Sequence, residues 1–256
     1  MVSTNIQTVG SVLCRNPIYD TYVSDAKRVV SYSLGMAFAK FHSESLLNIR
    51  NLVHLEFLKQ QNAIVFVPQP GNIKPQEPDL VGQDVGGAWH VFEAKGTSVK
   101  NKVTQQIADG KIQVRQISTI HGQLPATRTV SGTHIGKGGI YSRIEDPSDR
   151  GQALVDFDDN TFNQAYYAPF LISEQPGYPD PTSVIIDGQS VLMFSLENAL
   201  GVLSIGILTS VYNALRTGSS ATLLVTLEAI DDFTKRETDQ YSFGRDGFVI
   251  GYKAKF

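Results

Sequence analysis

The chain contains 256 residues, of which 41% are hydrophobic and 18% are charged, and it carries a net charge of −3 at pH 7. This size fits one large domain, or a core domain with an extension. The 13 Phe, 10 Tyr and one Trp exclude a wholly disordered chain. The single cysteine, Cys14, excludes an intrachain disulfide and a cysteine-rich zinc site.

The predicted elements of the first half follow the spacing of apolar residues along the chain. In chain order they are helices at 25–40 and 43–61, strands at 63–67, 79–81 and 89–95, a helix at 99–118, and strands at 126–135 and 140–144. The helix at 99–118 has the clearest pattern, because apolar and small residues recur on one face from Val103 to Ile117. Ser43 is a suitable N-cap for the second helix.

The second half shows weaker patterns. Its predicted elements are a helix at 160–172, a Pro/Gly loop at 175–181, a hairpin of strands at 184–187 and 191–194, a long buried helix at 195–216, and strands at 223–230 and 248–256. The alternation of predicted helices and strands indicates an α/β protein with a sheet flanked by helices, followed by an α+β extension. We therefore expect an N-terminal helical segment at 1–42, a core domain at 43–147, and an extension at 148–256 packed on the core.

The sequence carries only weak signals for membrane targeting or insertion. The first twenty residues lack a basic stretch followed by an apolar one, and the apolar run at 199–215 is too short to span a bilayer. We expect a soluble, cytoplasmic protein that does not associate with membranes.

The charges are unevenly distributed along the chain. The net charge is −1 over residues 1–94, +7 over 95–143 and −9 over 144–256. The positive block could bind a polyphosphate backbone, or it could be an ordinary solvated helix face followed by a polar hairpin. Composition alone leaves both interpretations open.

One spacing of acidic and basic residues suggests chemistry. The triplet Glu77-Pro78-Asp79 is followed, after thirteen residues, by Glu93-Ala94-Lys95. Side chains alternate along a strand, so Glu93 and Lys95 share one face, and a turn at 84–87 can bring the strand of Asp79 alongside. Two other acidic-x-Lys triplets, at 25–27 and 109–111, lie on predicted helices, where residues i and i+2 do not face each other.

Two carboxylates and an ammonium at one point suit metal-dependent hydrolysis of phosphodiesters. Mg²⁺ prefers carboxylate, carbonyl and water oxygens, which Asp79, Glu93 and the carbonyl of Ala94 can provide. Lys95 would orient the attacking water and stabilise the charge of the transition state. We expect Mg²⁺ as the cofactor, with Mn²⁺ able to replace it.

The spacing resembles that of the PD-(D/E)XK nuclease superfamily, whose fold is restriction-endonuclease-like. The matching residues are Pro78, Asp79, Glu93 and Lys95. The resemblance covers about 40% of the chain, from residue 43 to 136, and implies a Mg²⁺-dependent nuclease in which Lys95 is the catalytic lysine.

Two further roles follow from this resemblance alone. Many members carry a Glu on the first core helix, for which Glu56 fits better than Glu44, and a Gln on the helix after the lysine, for which Gln106 and Gln113 both qualify. The predicted catalytic residues are then Asp79, Glu93, Lys95, Gln106 and Glu56.

The predicted partner is DNA, because most of the superfamily cuts DNA. The basic residues expected to bind its phosphates are Lys100, Lys102, Lys111, Arg115 and Arg128. A restriction-type or phage-defence endonuclease, acting as a homodimer, is the expected setting. The alternative is a catalytically inactive nucleic-acid-binding or protein-interaction module of the same fold.

Overall fold

The chain is a mixed α/β protein. The computed structural model describes residues 2–60, 64–65, 77–147, 153–155, 159–171, 180–198, 201–230 and 240–254. The chain forms two compact units, Met1–Phe157 and Asp158–Phe256. None of the described helices has the length and apolar content needed to cross a membrane.

The elements of the first unit alternate between strands and helices. In chain order they are α1 (Val2–Asn5), β1 (Ile6–Val9), β2 (Val12–Arg15), a 3-10 helix (Pro17–Thr21), α2 (Ser24–Leu47), β3 (Ile49–His54), α3 (Leu55–Gln60), β4 (Ile64–Val65), β5 (Leu80–Asp84), β6 (Trp89–Thr97), α4 (Lys102–Val114), β7 (Ile117–Ile120), β8 (Thr127–Gly136), β9 (Gly139–Glu145) and β10 (Ala153–Val155).

The central sheet of this unit has five strands in the order β3-β5-β6-β8-β9. Neighbouring strands are antiparallel except β6 and β8, which run parallel and are joined by a crossover that contains α4. Helix α2 covers one face, where Ala39 packs with Phe92 and Ala94. Helix α4 covers the other, where Gly110 lies against Glu93 and Val130. The alternating residues of β6 therefore point to two different helices.

The contact between α2 and β6 depends on two glycines. A Cβ on Gly96 would lie 1.9 Å from the carbonyl oxygen of Ser31, and one on Gly35 would lie 2.7 Å from the amide nitrogen of Gly96. Backbone therefore packs directly on backbone at this crossing, immediately after Lys95.

The second unit contains α5 (Asp159–Leu171), β11 (Thr182–Ile186), β12 (Gln189–Asn198), β13 (Gly201–Leu208), α6 (Thr209–Arg216), α7 (Ser220–Ile230), β14 (Tyr241–Phe243) and β15 (Phe248–Ala254). Its sheet is antiparallel, in the order β11-β12-β13-β15-β14. Tyr167, Ile207 and Val249 are fully buried in its core.

The prediction of a helix at 43–61 is wrong. Helix α2 continues to Leu47 and ends at Asn48, whose left-handed conformation (φ 54°) turns the chain into β3. The first five residues of β3, from Ile49, are all buried, and a short, fully buried strand has no alternation to distinguish it from a helix.

This error shifts the other assignments in the first unit. Strand β3, not the predicted strand at 63–67, pairs with β5. Only Ile64–Val65 of the predicted strand lies within the described residues, and it pairs with β10 in a separate three-stranded sheet. Helix α2 also crosses the predicted boundary at 42/43 and packs on β6, so 1–42 is not a separate segment.

Two predictions in the second unit are also wrong. Among the described residues, the predicted helix at 195–216 is helical only in α6, because residues 195–198 belong to β12 and residues 201–208 form β13. The predicted strand at 223–230 belongs to α7, where apolar residues occur on every side and give no helical period. The helix at 160–172, the hairpin around Gly188 and the strand from Phe248 are confirmed, and most of the loop at 175–181 lies outside the described residues.

Candidate functional site

A cleft of about 660 Å³ opens at one edge of β6. Strand β5 pairs with β6 only as far as Leu80 opposite Phe92, whereas β6 continues to Thr97. Residues 93–97 therefore have no strand partner on this edge among the described residues. The N-terminal part of α2 and one face of α4 form the remaining walls of the cleft.

The two predicted carboxylates meet where β5 begins. The amide of Asp79 donates a hydrogen bond to Oε2 of Glu93 at 2.9 Å, and the amide of Ala94 donates to Oδ2 of Asp79 at 3.1 Å. Each carboxylate thus accepts a hydrogen bond from the backbone of the other strand, which fixes the pair in place. Asp79 lies on the same side of the sheet as Glu93, as strand alternation predicts.

Glu93 is fully buried, with no solvent exposure. Gly110 of α4 allows this burial, because a Cβ there would lie 3.2 Å from Cγ of Glu93 and 2.6 Å from Val130. Burial and, next, the negative charge of Asp79 raise the pKa of Glu93 to about 7, although the ammonium of Lys95 acts in the opposite direction. The site therefore holds a carboxylate that is costly to ionise without an added cation.

Lys95 is held from two sides. Its ammonium forms an ion pair with Oε1 of Glu93 and donates a hydrogen bond to Oε1 of Gln113 at 2.7 Å. The amide nitrogen of Gln113 in turn donates to the carbonyl of Glu77 at 2.9 Å. Gln113 is thus anchored at both ends of its amide group and fixes the position of the ammonium.

The structure brings together most of the predicted catalytic residues. Asp79, Glu93, Ala94, Lys95 and Gln106 all line the cleft. The side-chain oxygen of Gln106 is buried and has no hydrogen-bond partner among the described residues. Of the two glutamines that the sequence left open, Gln113 is the one that contacts Lys95.

The structure does not place Glu56 where the resemblance requires it, because the long helix that precedes the central sheet is α2 and Glu56 lies on the short helix α3. Its side chain is 60% exposed, lies 3.5 Å from Lys59, and is not among the described residues that line the cleft. Glu44 lies on α2 but is 3.5 Å from Lys40 and is likewise outside this lining.

The predicted phosphate-binding set is only partly at the cleft. Lys102 lines it, and Lys100 is exposed on the connection between β6 and α4. Lys111 forms an ion pair with Glu145, and Arg115 follows the last residue of α4, outside the described lining of the cleft.

The structure contradicts the role predicted for Arg128. Its side chain is buried and donates hydrogen bonds to the carbonyls of Ile117 and Ser118 at 3.0 and 2.9 Å. This guanidinium holds β8 to β7 and is not available to a phosphate.

Sequence reasoning missed the wall of the cleft that α2 provides. Lys27, Arg28, Ser31 and Tyr32 of this helix line the cleft. The hydroxyl of Tyr32 lies 3.1 Å from Nε2 of His54. Burial, followed by the charges of Asp79 and Glu93, raises the pKa of Tyr32. No local pattern marks these residues, because their role depends on a contact between distant parts of the chain.

The donor set at the cleft fits Mg²⁺. The described residues contain no group of three or more His, Cys, Asp or Glu side chains that could hold a metal ion. Mg²⁺, however, is usually bound by one or two carboxylates together with waters and substrate oxygens. The amide of Ala94 points to Asp79, and the carbonyl of an extended residue points to the same edge as its amide, so Ala94 remains a third candidate ligand.

No protein-family model, curated protein or solved structure matches this chain. Its function therefore has to be inferred from the chemistry of the site.

Proposed function

We propose that the protein is a metal-dependent endonuclease that hydrolyses DNA phosphodiester bonds. The observation that carries this proposal is the meeting of Asp79, Glu93 and Lys95, from two neighbouring strands, in one cleft. The fully buried carboxylate of Glu93 beside the half-buried one of Asp79 is poorly balanced by a single ammonium, and a divalent cation would balance it.

The order of elements around the cleft supports a restriction-endonuclease-like core. The order is α2, β3, β5, β6, α4 and β8, which is helix, three strands, helix and strand. Asp79 directly precedes the second of these strands, and Glu93 and Lys95 lie on the third. This is the arrangement of the PD-(D/E)XK superfamily, to which the motif is similar.

Asp79, Glu93 and the carbonyl of Ala94 would hold Mg²⁺ or Mn²⁺. The bound ion would polarise the phosphate and lower the pKa of a bound water. The ammonium of Lys95, which is fixed by Gln113, would orient the attacking water and stabilise negative charge on the phosphate oxygens. The buried oxygen of Gln106 is an additional acceptor at the cleft.

A restriction-type or phage-defence role is the setting we propose for this activity, by analogy with the superfamily. Cleavage of both strands of a duplex requires two sites, so we expect the active form to be a homodimer. The competing function, an inactive binding module of the same fold, predicts that the protein binds nucleic acid or another protein without cutting DNA.

The proposal is tested by incubating supercoiled plasmid DNA with the protein in Mg²⁺, in Mn²⁺ and in EDTA. The wild type should nick or linearise the plasmid only when the metal is present, and Asp79→Ala and Lys95→Ala should not. Asp109→Asn is the matched control, because Asp109 is an exposed carboxylate on α4 outside the cleft. Intact plasmid in every metal, with correctly folded wild-type protein, would contradict the proposal and favour the inactive module.

A further inference from the structure

The charges that line the cleft do not cancel. The described lining contains two carboxylates and four basic side chains. The carboxylates are those of Asp79 and Glu93, and the basic residues are Lys27, Arg28, Lys95 and Lys102. Lys95 is engaged with Glu93. The cleft therefore has a surplus of positive charge even before a divalent cation is added, and it suits an anionic ligand.

Two of these basic residues lie on α2, outside the block of residues 95–143 that the sequence marks as positive. The ammonium of Lys27 donates to the backbone carbonyl of Asp20 at 2.9 Å. Arg28 lies 3.3 Å from Asp25, with side chains that are 80% and 86% exposed. A fully solvated pair of this kind contributes little, so the guanidinium can exchange Asp25 for a phosphate.

The cleft-facing residues of α2 form one continuous stripe. They fall at positions i, i+3, i+4, i+7 and i+8, which share one face of a helix: Ser24, Lys27, Arg28, Ser31 and Tyr32. At 1.5 Å per residue the stripe is about 12 Å long. This length matches the axial rise of roughly three to four nucleotides in one strand of duplex DNA.

The stripe is held rigidly beside the carboxylate pair. The hydroxyl of Tyr19 lies 3.1 Å from the carbonyl of Lys27 and 2.8 Å from the hydroxyl of Ser31. The close packing of Gly35 and Ser31 on Gly96 fixes α2 to β6 at the residue that follows Lys95. A basic surface that is already positioned next to the reacting groups loses little entropy when it binds a substrate.

The N-terminal ends of two helices add to the positive charge of the cleft. Both α2 and α4 begin at the cleft, with Ser24 and Lys102 in their first turns. The N-terminal end of a helix carries a partial positive charge. Two such ends reinforce the basic side chains that define the site.

We propose that the N-terminal part of α2, through Lys27 and Arg28, binds the phosphate backbone of the DNA strand that is cut, beside the carboxylate pair. This inference rests on the proposed nuclease function and names the residues that position its substrate. It adds α2 to the phosphate-binding surface beside Lys102, since Lys111 and Arg128 of the positive block are engaged within the protein.

The test is DNA binding by fluorescence anisotropy, with a labelled duplex and the same labelled single strand, in Ca²⁺ and over a range of KCl concentrations. Each neutralised phosphate contributes about 0.9 to the slope of log affinity against log salt for a duplex and about 0.7 for a single strand. The double variant K27Q/R28Q should flatten the slope by up to about 1.8 or 1.4 units, respectively, and lower the affinity at low salt.

The matched control is K137Q/R143Q. It removes the same charge from the hairpin of β8 and β9, where Lys137 pairs with Asp20 and Arg143 with Glu145. This control should keep the wild-type slope. Mn²⁺ should raise the Tm of the wild type by binding the folded protein, and it should raise the Tm of K27Q/R28Q equally, because Asp79 and Glu93 remain intact.

A second variant protects the test against a folding defect caused by losing the contact of Lys27 with Asp20. R28E changes only an exposed side chain and reverses its charge, so it should weaken binding without lowering the Tm. Wild-type slopes in both K27Q/R28Q and R28E, alongside normal wild-type binding, would overturn the role of α2 and leave the nuclease proposal standing. A wild-type protein that neither binds nor cuts DNA would overturn both.

Discussion

Glu93 is the residue in which burial and charge conflict most strongly. It has no contact with solvent, lies beside a second carboxylate, and is balanced by a single ammonium. A core position that served only stability would rarely retain such a group, since an apolar side chain of similar volume is usually at least as stabilising. This cost is the physical reason for regarding the pair as a cation site.

The first prediction concerns stability against pH. The pKa of Glu93 in the folded protein is about 7, above its ordinary value of 4.5, so its ionisation destabilises the metal-free fold above pH 7. That penalty is relieved as the pH falls through 7 toward 4.5. Glu93→Gln should therefore be more stable than the wild type at pH 8 by up to about 3 kcal/mol, with the difference falling below about 1 kcal/mol near pH 5.

Urea unfolding at both pH values in EDTA measures this difference. The comparison of variant with wild type cancels the contributions of the other titrating groups. A Glu93→Gln protein that is less stable than the wild type at pH 8 would show that the ionised carboxylate stabilises the fold.

The second prediction concerns the pair of Gln113 and Lys95. Gln113→Ala removes the acceptor that holds the ammonium, and a hydrogen bond to a charged group is worth about 1.5–3 kcal/mol. If this hydrogen bond stabilises the transition state, its loss raises the activation free energy, and kcat for DNA cleavage should fall by about 10- to 100-fold. Mn²⁺ affinity should remain close to that of the wild type.

Glu56→Gln provides the contrast for this measurement, because Glu56 is exposed and outside the described lining of the cleft. It should cut DNA at the wild-type rate. Equal kcat for Gln113→Ala and Glu56→Gln would remove Gln113 from the mechanism.

Packing between elements sets the geometry of the site. Helix α4 approaches β6 and β8 closely because Gly110 has no side chain, and Glu93 and Val130 fill the space beneath it. On the opposite face, the crossing of α2 over Gly96 brings the residues of that helix to the same cleft. The site thus depends on two close helix-to-sheet contacts, one on each face.

The third prediction tests the contact at Gly110. Alanine is the better helix former by about 1 kcal/mol, yet its Cβ would lie 2.6 Å from Val130 and 3.2 Å from Glu93. We expect Gly110→Ala to destabilise the protein by about 1–3 kcal/mol through overpacking. Gly138→Ala is the matched control, since nothing lies within 4 Å of a Cβ at that position. Thermal unfolding that ranks Gly110→Ala as at least as stable as Gly138→Ala would contradict this account of the packing.

The elements that the sequence predicted well have clear local patterns. The stripe from Val103 to Val114 on α4 and the turn that joins β5 and β6 are determined by residues close together in the chain. Strand β3 was mistaken for a helix because its apolar residues Ile49, Leu52 and Val53 recur at helical spacing, and the left-handed Asn48 ends α2.

Only the part of the candidate site that is formed by the pairing of β5 with β6 was predictable from the sequence. Alternation and a short turn are enough to bring Asp79, Glu93 and Lys95 together. The contribution of Lys27, Arg28 and Tyr32 was not predictable, because it requires knowing that α2 packs across Gly96.

At the scale of the whole molecule, the distribution of charge along the sequence differs from its distribution in the folded protein. The block of residues 95–143 has a net charge of +7, but acidic residues outside it neutralise part of this charge. Glu145 pairs with Lys111 and Arg143, and Asp20 pairs with Lys137. The basic residues that line the cleft come from α2, β6 and α4.

The claim on which both proposals depend is that Asp79 and Glu93 form a divalent-cation site. Isothermal titration of Mn²⁺ into the metal-free protein at pH 8 tests it without any assumption about the substrate. The account predicts a single class of site in the wild type and in Asp109→Asn, and loss of that site in Asp79→Asn. Absence of Mn²⁺ binding in the wild type, or binding that Asp79→Asn leaves unchanged, would contradict it.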